Sequence, residues 1–195
     1  GGGLSKVLNE LNQSGFIEPY NGYGKKKREN LYRLTDPYSL FYLTFIEPLG
    51  VNAKVDFTKL SDLPNYKSWS GYSFENVCLM HIDQIRKALG ISGIFTTASS
   101  FFVKPKNGMS GAQIDLIIDR GDNSIIICEI KYSNSDYTVT KRDVANLETK
   151  KRVFQYHTKT KKHLFISLIT TYGVVENANK LNSIDQVVLL NQLFE

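Results

Sequence analysis

Two carboxylates and a lysine lie in two neighbouring apolar segments near the middle of this 195-residue chain. Asp115 lies within AQIDLIID, and Glu129 and Lys131 belong to the following segment, CEIK. Like charges placed side by side in a sheet are destabilising, so two acidic groups among isoleucines need a compensating partner. Carboxylate oxygens are ligands that Mg²⁺ prefers. The pattern therefore indicates a Mg²⁺ or Mn²⁺ site held by Asp115 and Glu129, and the alternative is a solvated hairpin end with a Glu–Lys pair.

The segments that must position these residues are predicted to be β-strands. Ile-rich runs at 114–118 and 125–130 flank a turn at 119–123 that contains Gly, Asp and Asn. Such runs, bounded by turn residues, are typical of two strands joined by a hairpin loop. Because apolar residues occupy both faces of the strands, we expect the sheet to be covered by other elements on both sides.

A turn centred near Asp122 fixes the register of the hairpin. Side chains alternate along a strand, and this centre places Asp115 opposite Glu129 and Gln113 opposite Lys131. Opposite positions bring Cβ atoms to roughly 5 Å of each other. The sequence therefore predicts that the two carboxylates and the lysine meet at one end of the sheet.

The first part of the chain carries a basic loop. A helix is predicted over 4–13, followed by two short strands at 16–17 and 31–34. The loop between the strands, NGYGKKKREN, carries four consecutive cations: Lys25, Lys26, Lys27 and Arg28. A helix followed by a hairpin with a basic tip resembles the second half of a winged-helix domain, whose wing would contact DNA phosphates. The alternative is a solvated turn.

Two further helices are predicted to flank the central hairpin. The first runs from Ser73 to about Leu89, and Glu75 in its first turn is either an exposed residue favoured by the helix dipole or an additional acid of the site. The second runs from Lys141 to about His157. It carries cations that either contact nucleic-acid phosphates or form a solvated face: Lys141, Arg142, Lys150, Lys151 and Arg152. Further strands are predicted at 94–103, 163–170 and 187–190.

Composition limits the class of protein. The chain is 42% hydrophobic and 22% charged, as in ordinary soluble domains, and no apolar run reaches the length of a transmembrane helix. A formal charge of +5 favours an anionic partner, and nucleic acid is the first candidate. Cys78 and Cys128 lie among apolar residues without a CxxC pattern, which is typical of a reducing cytoplasm. We expect a cytoplasmic protein that binds DNA and no membrane.

The order Asp, then Glu-x-Lys on the next strand, resembles the PD-(D/E)XK, or restriction-endonuclease-like, nuclease core. Ile114 stands where that motif has its proline. The resemblance implies an α/β fold, with a mixed central sheet flanked by helices, and Mg²⁺-dependent hydrolysis of DNA phosphodiesters. It implies that Asp115 and Glu129 bind the metal and that Lys131 orients water or stabilises charge. Glu75 would be the acid that such cores often carry on their first helix.

A wider resemblance covers nearly the whole chain. The segments GFI, YRLTDPYSLFY, AQIDLIIDR and CEIKY follow one another as in the C-terminal half of a family of prokaryotic AAA-type ATPases. Those proteins carry an N-terminal P-loop ATPase, a winged helix and a restriction-endonuclease-like domain of unknown function. The resemblance implies that the chain is cut from a longer protein with an ATPase module upstream. No G-x-x-x-x-G-K-[ST] motif occurs in the sequence, so we expect no ATP site in it.

The sequence thus predicts a partial winged helix at 1–46, a connector at 47–67 and a nuclease-like domain at 68–195. The predicted function is Mg²⁺-dependent cleavage of DNA by the C-terminal part of an AAA-type ATPase. The alternative is an inactive nuclease fold that binds nucleic acid or protein and regulates the upstream ATPase.

Overall fold

A computed structural model describes residues 2–25, 31–50, 57–106 and 108–195, with the backbone alone for Phe57. The regular helices and strands in these ranges follow one another as α1 (Gly2–Gln13), β1 (Ile17–Tyr20), β2 (Leu31–Leu34), α2 (Pro37–Phe41), α3 (Pro64–Met80), α4 (Ile82–Ala88), β3 (Thr96–Val103), β4 (Ala112–Arg120), β5 (Ser124–Lys131), α5 (Lys141–Thr158), β6 (His163–Thr170), α6 (Ala178–Ser183) and β7 (Gln186–Leu189). Short π- or 3₁₀-helical segments lie at Tyr42–Ile46, Glu47–Leu49, Phe57–Asp62 and Leu190–Leu193.

The central sheet has five strands in the order β3-β4-β5-β6-β7. β3, β4 and β5 pair antiparallel, whereas β5, β6 and β7 pair parallel. The sheet is therefore mixed, and the predicted α/β class with a mixed central sheet flanked by helices is confirmed. A separate two-stranded sheet joins β1 and β2 antiparallel, as expected for the hairpin near the start of the chain.

Each face of the sheet carries its own hydrophobic core. On one face, α3 and α4 pack against side chains that include Leu116 and Ile126. On the other face, α5 packs against Ile117 and Ile127 through residues such as Phe154. The two covered faces account for the consecutive isoleucines in β4 and β5, since neighbouring side chains of a strand enter opposite cores.

The helix predicted to begin at Ser73 begins at Pro64 and ends at Met80. Proline fits the first turn of a helix because its missing N–H has no partner there in any case. The added turns are stabilised by Trp69, whose ring centroid lies 5.2 Å from that of Phe41 and 6.3 Å from that of Phe45. The predicted continuation to Leu89 is interrupted at His81, where φ is −116° and ψ is 37°, and α4 follows.

Among the described residues, hydrogen bonds attach the β1–β2 hairpin to α3 and to β3. The Tyr72 hydroxyl accepts a hydrogen bond from the Leu34 amide and donates one to the Leu34 carbonyl, each at 3.1 Å, and the Asn76 amide donates to the same carbonyl at 2.8 Å. After β1, Gly22 pairs with Ser100 of β3. Lys26, Lys27 and Arg28 of the predicted basic tip lie outside the described residues.

Within the described ranges, the structure contains no helix with the length and apolar character needed to cross a membrane.

Candidate functional site

The β4–β5 hairpin has the predicted register. Leu116 pairs with Cys128, Ile117 with Ile127, and Asp119 with Ile125. Continued by one residue, this register would place Asp115 opposite Glu129, but the ladder ends at the Leu116–Cys128 pair.

A β-bulge in β4 carries Asp115. Ser99 of β3 pairs with Ile117, whereas Phe101 pairs with Ile114, so Asp115 and Leu116 together lie opposite Ser100. A bulge of this kind locally disrupts the ladder and redirects a side chain. It also explains why Ile114 and Ile117 enter the same core although they are three positions apart, an odd spacing that would otherwise place them on opposite faces. Sequence reasoning did not find the bulge, because the pattern of β4 alone does not show how β3 pairs with it.

One cavity of about 400 Å³ gathers the predicted site residues. Its lining contains Glu75 from α3, Asp115 from β4, Glu129 and Lys131 from β5, and Lys150 from α5. The four residues predicted for the chemistry thus lie together. Lys150, predicted only as one of several cations that contact nucleic acid, belongs to this group, whereas Lys141, Arg142 and Arg152 are exposed on α5 and Lys151 is partly buried there.

Glu129 is buried, with 6% of its surface exposed, and it forms two ion pairs. Lys131 Nζ lies 2.8 Å from one of its carboxylate oxygens, and Lys150 Nζ lies 2.6 Å from the other. The Glu–Lys pair of the alternative interpretation is thus present, and a second lysine, from α5, joins it. Burial makes each of these charges costly by itself, and the pairing offsets that cost.

Asp115 and Glu75 are less well compensated. Asp115 accepts a hydrogen bond from Gln113 Nε2 at 2.8 Å, and it has no ion pair within the part of the chain that the structure describes. Burial, followed by the negative charge of Asp115, raises the pKa of Glu75 to about 7. Glu75 therefore exchanges its proton near neutral pH, whereas an exposed glutamate is ionised there.

Lys131 stays protonated at neutral pH. Burial would lower the pKa of Lys131, but the negative charge and the hydrogen bond of Glu129 raise it. The charges of Asp143 and Glu75 contribute smaller increases. A lysine that keeps its proton can stabilise a negative charge, but it is not available as a base.

Asp143, in the first turn of α5, lies near enough to Lys131 for their charges to interact, and sequence reasoning did not select it. Burial raises the pKa of Asp143, but hydrogen bonds from Thr140 and Tyr137 and the charge of Lys131 lower it overall. Asp143 accepts hydrogen bonds from the Thr140 hydroxyl at 2.6 Å and from the Thr140 amide at 2.9 Å, and its own amide donates to Thr140 Oγ1. The sequence signal was present, since T-x-x-D before a helix is the pattern of a capping box.

The donor set suits a hard divalent cation only in part. Among the residues that the structure describes, no three His, Cys, Asp or Glu side chains lie close enough to form a metal-binding group. Mg²⁺, however, is commonly held by one or two carboxylates with the remaining positions filled by water and substrate oxygen. Asp115 and Glu129 are two such carboxylates, and Asp115 has no ion pair in the described ranges. A cation beside them would offset the repulsion that raises the pKa of Glu75.

No protein-family model matches the chain, and no curated protein matches it significantly. A solved structure with partial similarity is the crystal structure of a protein of unknown function, AF1548. The two are 16% identical in sequence, and their superposition gives a TM-score of 0.38. The matched region covers 54% of this chain and about half, 52%, of that protein.

Proposed function

We propose that this chain is a nuclease-like module that hydrolyses DNA phosphodiesters with the help of Mg²⁺ or Mn²⁺. The observation that carries the proposal is the convergence of Asp115, Glu129, Lys131 and Glu75 on one cavity. The resemblance to the C-terminal half of prokaryotic AAA-type ATPases supports a place beside an upstream ATPase module in a cytoplasmic protein. The upstream ATPase module and the cytoplasmic location are both parts of the proposal.

The residues divide the chemistry among them. Asp115 and Glu129 would hold the cation, which supplies a Lewis acid that lowers the pKa of a water molecule and offsets charge on the phosphate. Lys131, protonated and partly exposed, would stabilise the negative charge that develops on phosphate oxygens. Glu75, with a pKa of about 7, can hold or release a proton at its carboxylate under neutral conditions.

Lys150 would have a second use in this scheme. It is paired with Glu129 at 2.6 Å in the absence of substrate. A phosphate group entering the cavity offers its ammonium group an alternative anionic partner, and that exchange would free an oxygen of Glu129. The lysine pair thus keeps the buried carboxylate stable until substrate arrives.

The second candidate function is a binding module without catalysis. The observation that favours it is that both oxygens of Glu129 already have lysine partners, so that this carboxylate is neutralised without a cation. In that case the fold would bind nucleic acid or protein and regulate the upstream ATPase.

Cleavage of plasmid DNA distinguishes the two functions. Wild-type protein with millimolar Mg²⁺ or Mn²⁺ is expected to cut the plasmid, and Lys131→Ala is expected to slow cutting by roughly 10²–10³-fold through loss of charge stabilisation. Lys87→Ala, which removes an exposed lysine of α4, is the matched control and should cut at the wild-type rate. No cutting by wild type would favour the binding module, and equal cutting by Lys131→Ala and the control would exclude Lys131 from the chemistry.

A further inference from the structure

The two lysines that pair with Glu129 are held in different ways. Lys131 lies two residues after Glu129 on β5, and the charges of Asp143 and Glu75 also act on it. Lys150 comes from α5, and its one ion pair within the described ranges is the 2.6 Å contact with Glu129. When Glu129 takes another partner, Lys131 therefore still lies among acidic groups, whereas Lys150 loses its ion pair.

The helix α5 presents a second polar group to the same cavity. Asn146 lies one turn before Lys150, and both residues line the cavity wall. Residues four positions apart lie on the same face of a helix, so the two side chains leave α5 on the same side. An amide and an ammonium group together supply hydrogen-bond donors that suit phosphate oxygens. A phosphate beside this face of α5 thus gives Lys150 an alternative partner to Glu129.

A divalent cation and Lys150 compete for Glu129. Both oxygens of this carboxylate have lysine partners in the metal-free protein, and the pair with Lys150 is largely buried on both sides. Two positive groups at one buried oxygen repel each other strongly, because little water is present to screen them. Cation binding at Glu129 therefore favours the arrangement in which Lys150 has moved away.

Asp115 stays available to a cation in either arrangement. It has no ion pair in the described part of the chain. It also lines a second, smaller cavity of about 210 Å³ between the β1–β2 hairpin and the sheet, so it lies where the two cavities adjoin. Because Asp115 is available in both arrangements, the pairing of Lys150 with Glu129 lowers the affinity for a cation without abolishing it.

We propose that Lys150 makes the divalent cation and the DNA phosphate bind cooperatively to this site. The inference rests on the proposed function, since it describes how that site is regulated. The cation displaces Lys150 from Glu129, and the phosphate attracts the displaced ammonium group. Two ligands that favour the same one of two arrangements strengthen each other's binding, and the effect is reciprocal. Without DNA, the pair between Lys150 and Glu129 keeps the cation affinity low.

Variants of two lysines test this coupling. Lys150→Met removes the ammonium group and keeps an unbranched side chain, and Lys150→Gln keeps hydrogen-bond donors without the charge. Lys162→Met is the matched control, because Lys162 forms a partly buried ion pair with Asp119 outside the lining of the site cavity. All three variants lose one positive charge and one ion pair. Thermal unfolding verifies that each variant is folded.

The first measurement is the Mn²⁺ affinity of the DNA-free protein, obtained from the electron paramagnetic resonance signal of free Mn²⁺. We expect both Lys150 variants to bind Mn²⁺ about tenfold more tightly than wild type, because Glu129 no longer has to exchange the lysine of α5. The Lys162→Met control should bind as wild type does. Loss of a nearby fixed charge would give the same result, so a second measurement is needed.

The second measurement is the factor by which Mn²⁺ tightens DNA binding, from the fluorescence anisotropy of a labelled duplex with and without Mn²⁺. Phosphorothioate linkages slow hydrolysis of the duplex and still accept Mn²⁺, and a gel verifies that it stays intact. Effects of Mn²⁺ on the DNA itself are common to all the proteins. We expect a factor about tenfold smaller in both Lys150 variants than in wild type, and an unchanged factor in Lys162→Met.

An equal factor in wild type and the Lys150 variants would overturn the inference, because a lysine that stays at Glu129 as a fixed charge changes each affinity without coupling them. Equal Mn²⁺ affinities without DNA would overturn it as well. Plasmid cutting tests the proposed function separately. A protein that cuts plasmid with the same factor in every variant retains the nuclease and loses the coupling. A protein that shows the expected factors without cutting retains the coupling and loses the nuclease.

Discussion

At the scale of single residues, Glu129 shows how a buried carboxylate can be stable without a cation. Its two oxygens are paired with Lys131 and Lys150, and the lysine on α5 is itself largely buried, with 12% of its side chain exposed. The pairs satisfy the charges of all three groups in a region where each would otherwise be costly.

Glu129→Gln is therefore expected to destabilise the metal-free protein by about 3 kcal/mol, because two lysines lose their partner in a buried region. Urea denaturation in the presence of a chelator measures this change. The control is Glu176→Gln, which breaks an exposed pair with Lys180 and should change the free energy of unfolding by less than about 0.5 kcal/mol. Wild-type stability in Glu129→Gln would contradict the ion-paired arrangement.

Glu75 should make stability depend on pH. Its pKa rises from 4.5 to about 7 on folding, mainly through burial. Between these values the folded protein keeps a proton that the unfolded chain releases, so the folded state loses stability as the pH rises from 4.5 to 7. Glu75→Gln removes this loss.

The variant should match wild type below pH 4.5 and exceed it above pH 7, by about 1 kcal/mol once partial exposure is allowed for. Denaturation curves across this range, with exposed Glu10→Gln as control, measure the difference. A difference between Glu75→Gln and wild type that does not vary with pH would show that the carboxyl has an ordinary pKa.

From residue types alone, the site residues could be selected, but the residues that form ion pairs with them could not. Asp115, Glu129 and Lys131 could be selected from the sequence because charged residues are rare in strands buried on both faces. The pairing of Lys150 with Glu129 joins residues 21 positions apart on different elements, and nothing in the local pattern distinguishes Lys150 from Lys151. Such contacts depend on how α5 lies on the sheet.

At the scale of elements, the β4–β5 hairpin was the most predictable part of the fold. Its strands, turn and register follow from apolar runs on either side of turn residues, all close together in the chain. The bulge at Asp115 and the start of α3 at Pro64 were not predictable in the same way. The first depends on pairing with β3, and the second on aromatic contacts of Trp69 with residues of an earlier helical segment.

Two basic elements are expected to contact DNA phosphates: the loop of the first hairpin and the exposed face of α5. Replacing a set of four cations by Ala should reduce the slope of log affinity against log salt by roughly 0.9 for each lost contact with duplex DNA. One variant changes Lys25, Lys26, Lys27 and Arg28, and the other changes Lys141, Arg142, Lys151 and Arg152.

A control with the same change in charge replaces Lys6, Lys67, Lys87 and Lys180. Its slope should remain close to that of wild type, because general charge affects affinity more weakly than direct contacts do. If a basic-element variant has the slope of this control, that element is a solvated surface and does not bind DNA.

At the scale of the whole molecule, one sheet supports two adjoining cavities. The β4 bulge places Asp115 in the wall of both, α5 closes one side of the first, and the β1–β2 hairpin completes the second. The α/β class followed from the resemblance to the nuclease core, and the apolar patterns predicted the individual strands and helices. The contacts between the β1–β2 hairpin and the rest of the fold were not predictable, because hydrogen bonds such as that from Asn76 to Leu34 connect residues 42 positions apart.

The central claim is that Asp115 and Glu129 hold a divalent cation, and a Mn²⁺ titration of the melting temperature tests it most directly. A ligand that binds only the folded state at 100 times its dissociation constant contributes about 2.7 kcal/mol. For a chain of this length, that corresponds to a rise of roughly 5–10 °C in the melting temperature. Asp115→Asn should abolish the rise while melting near wild type without metal. A wild type that does not shift at millimolar Mn²⁺, or an Asp115→Asn variant that shifts equally, would contradict the account.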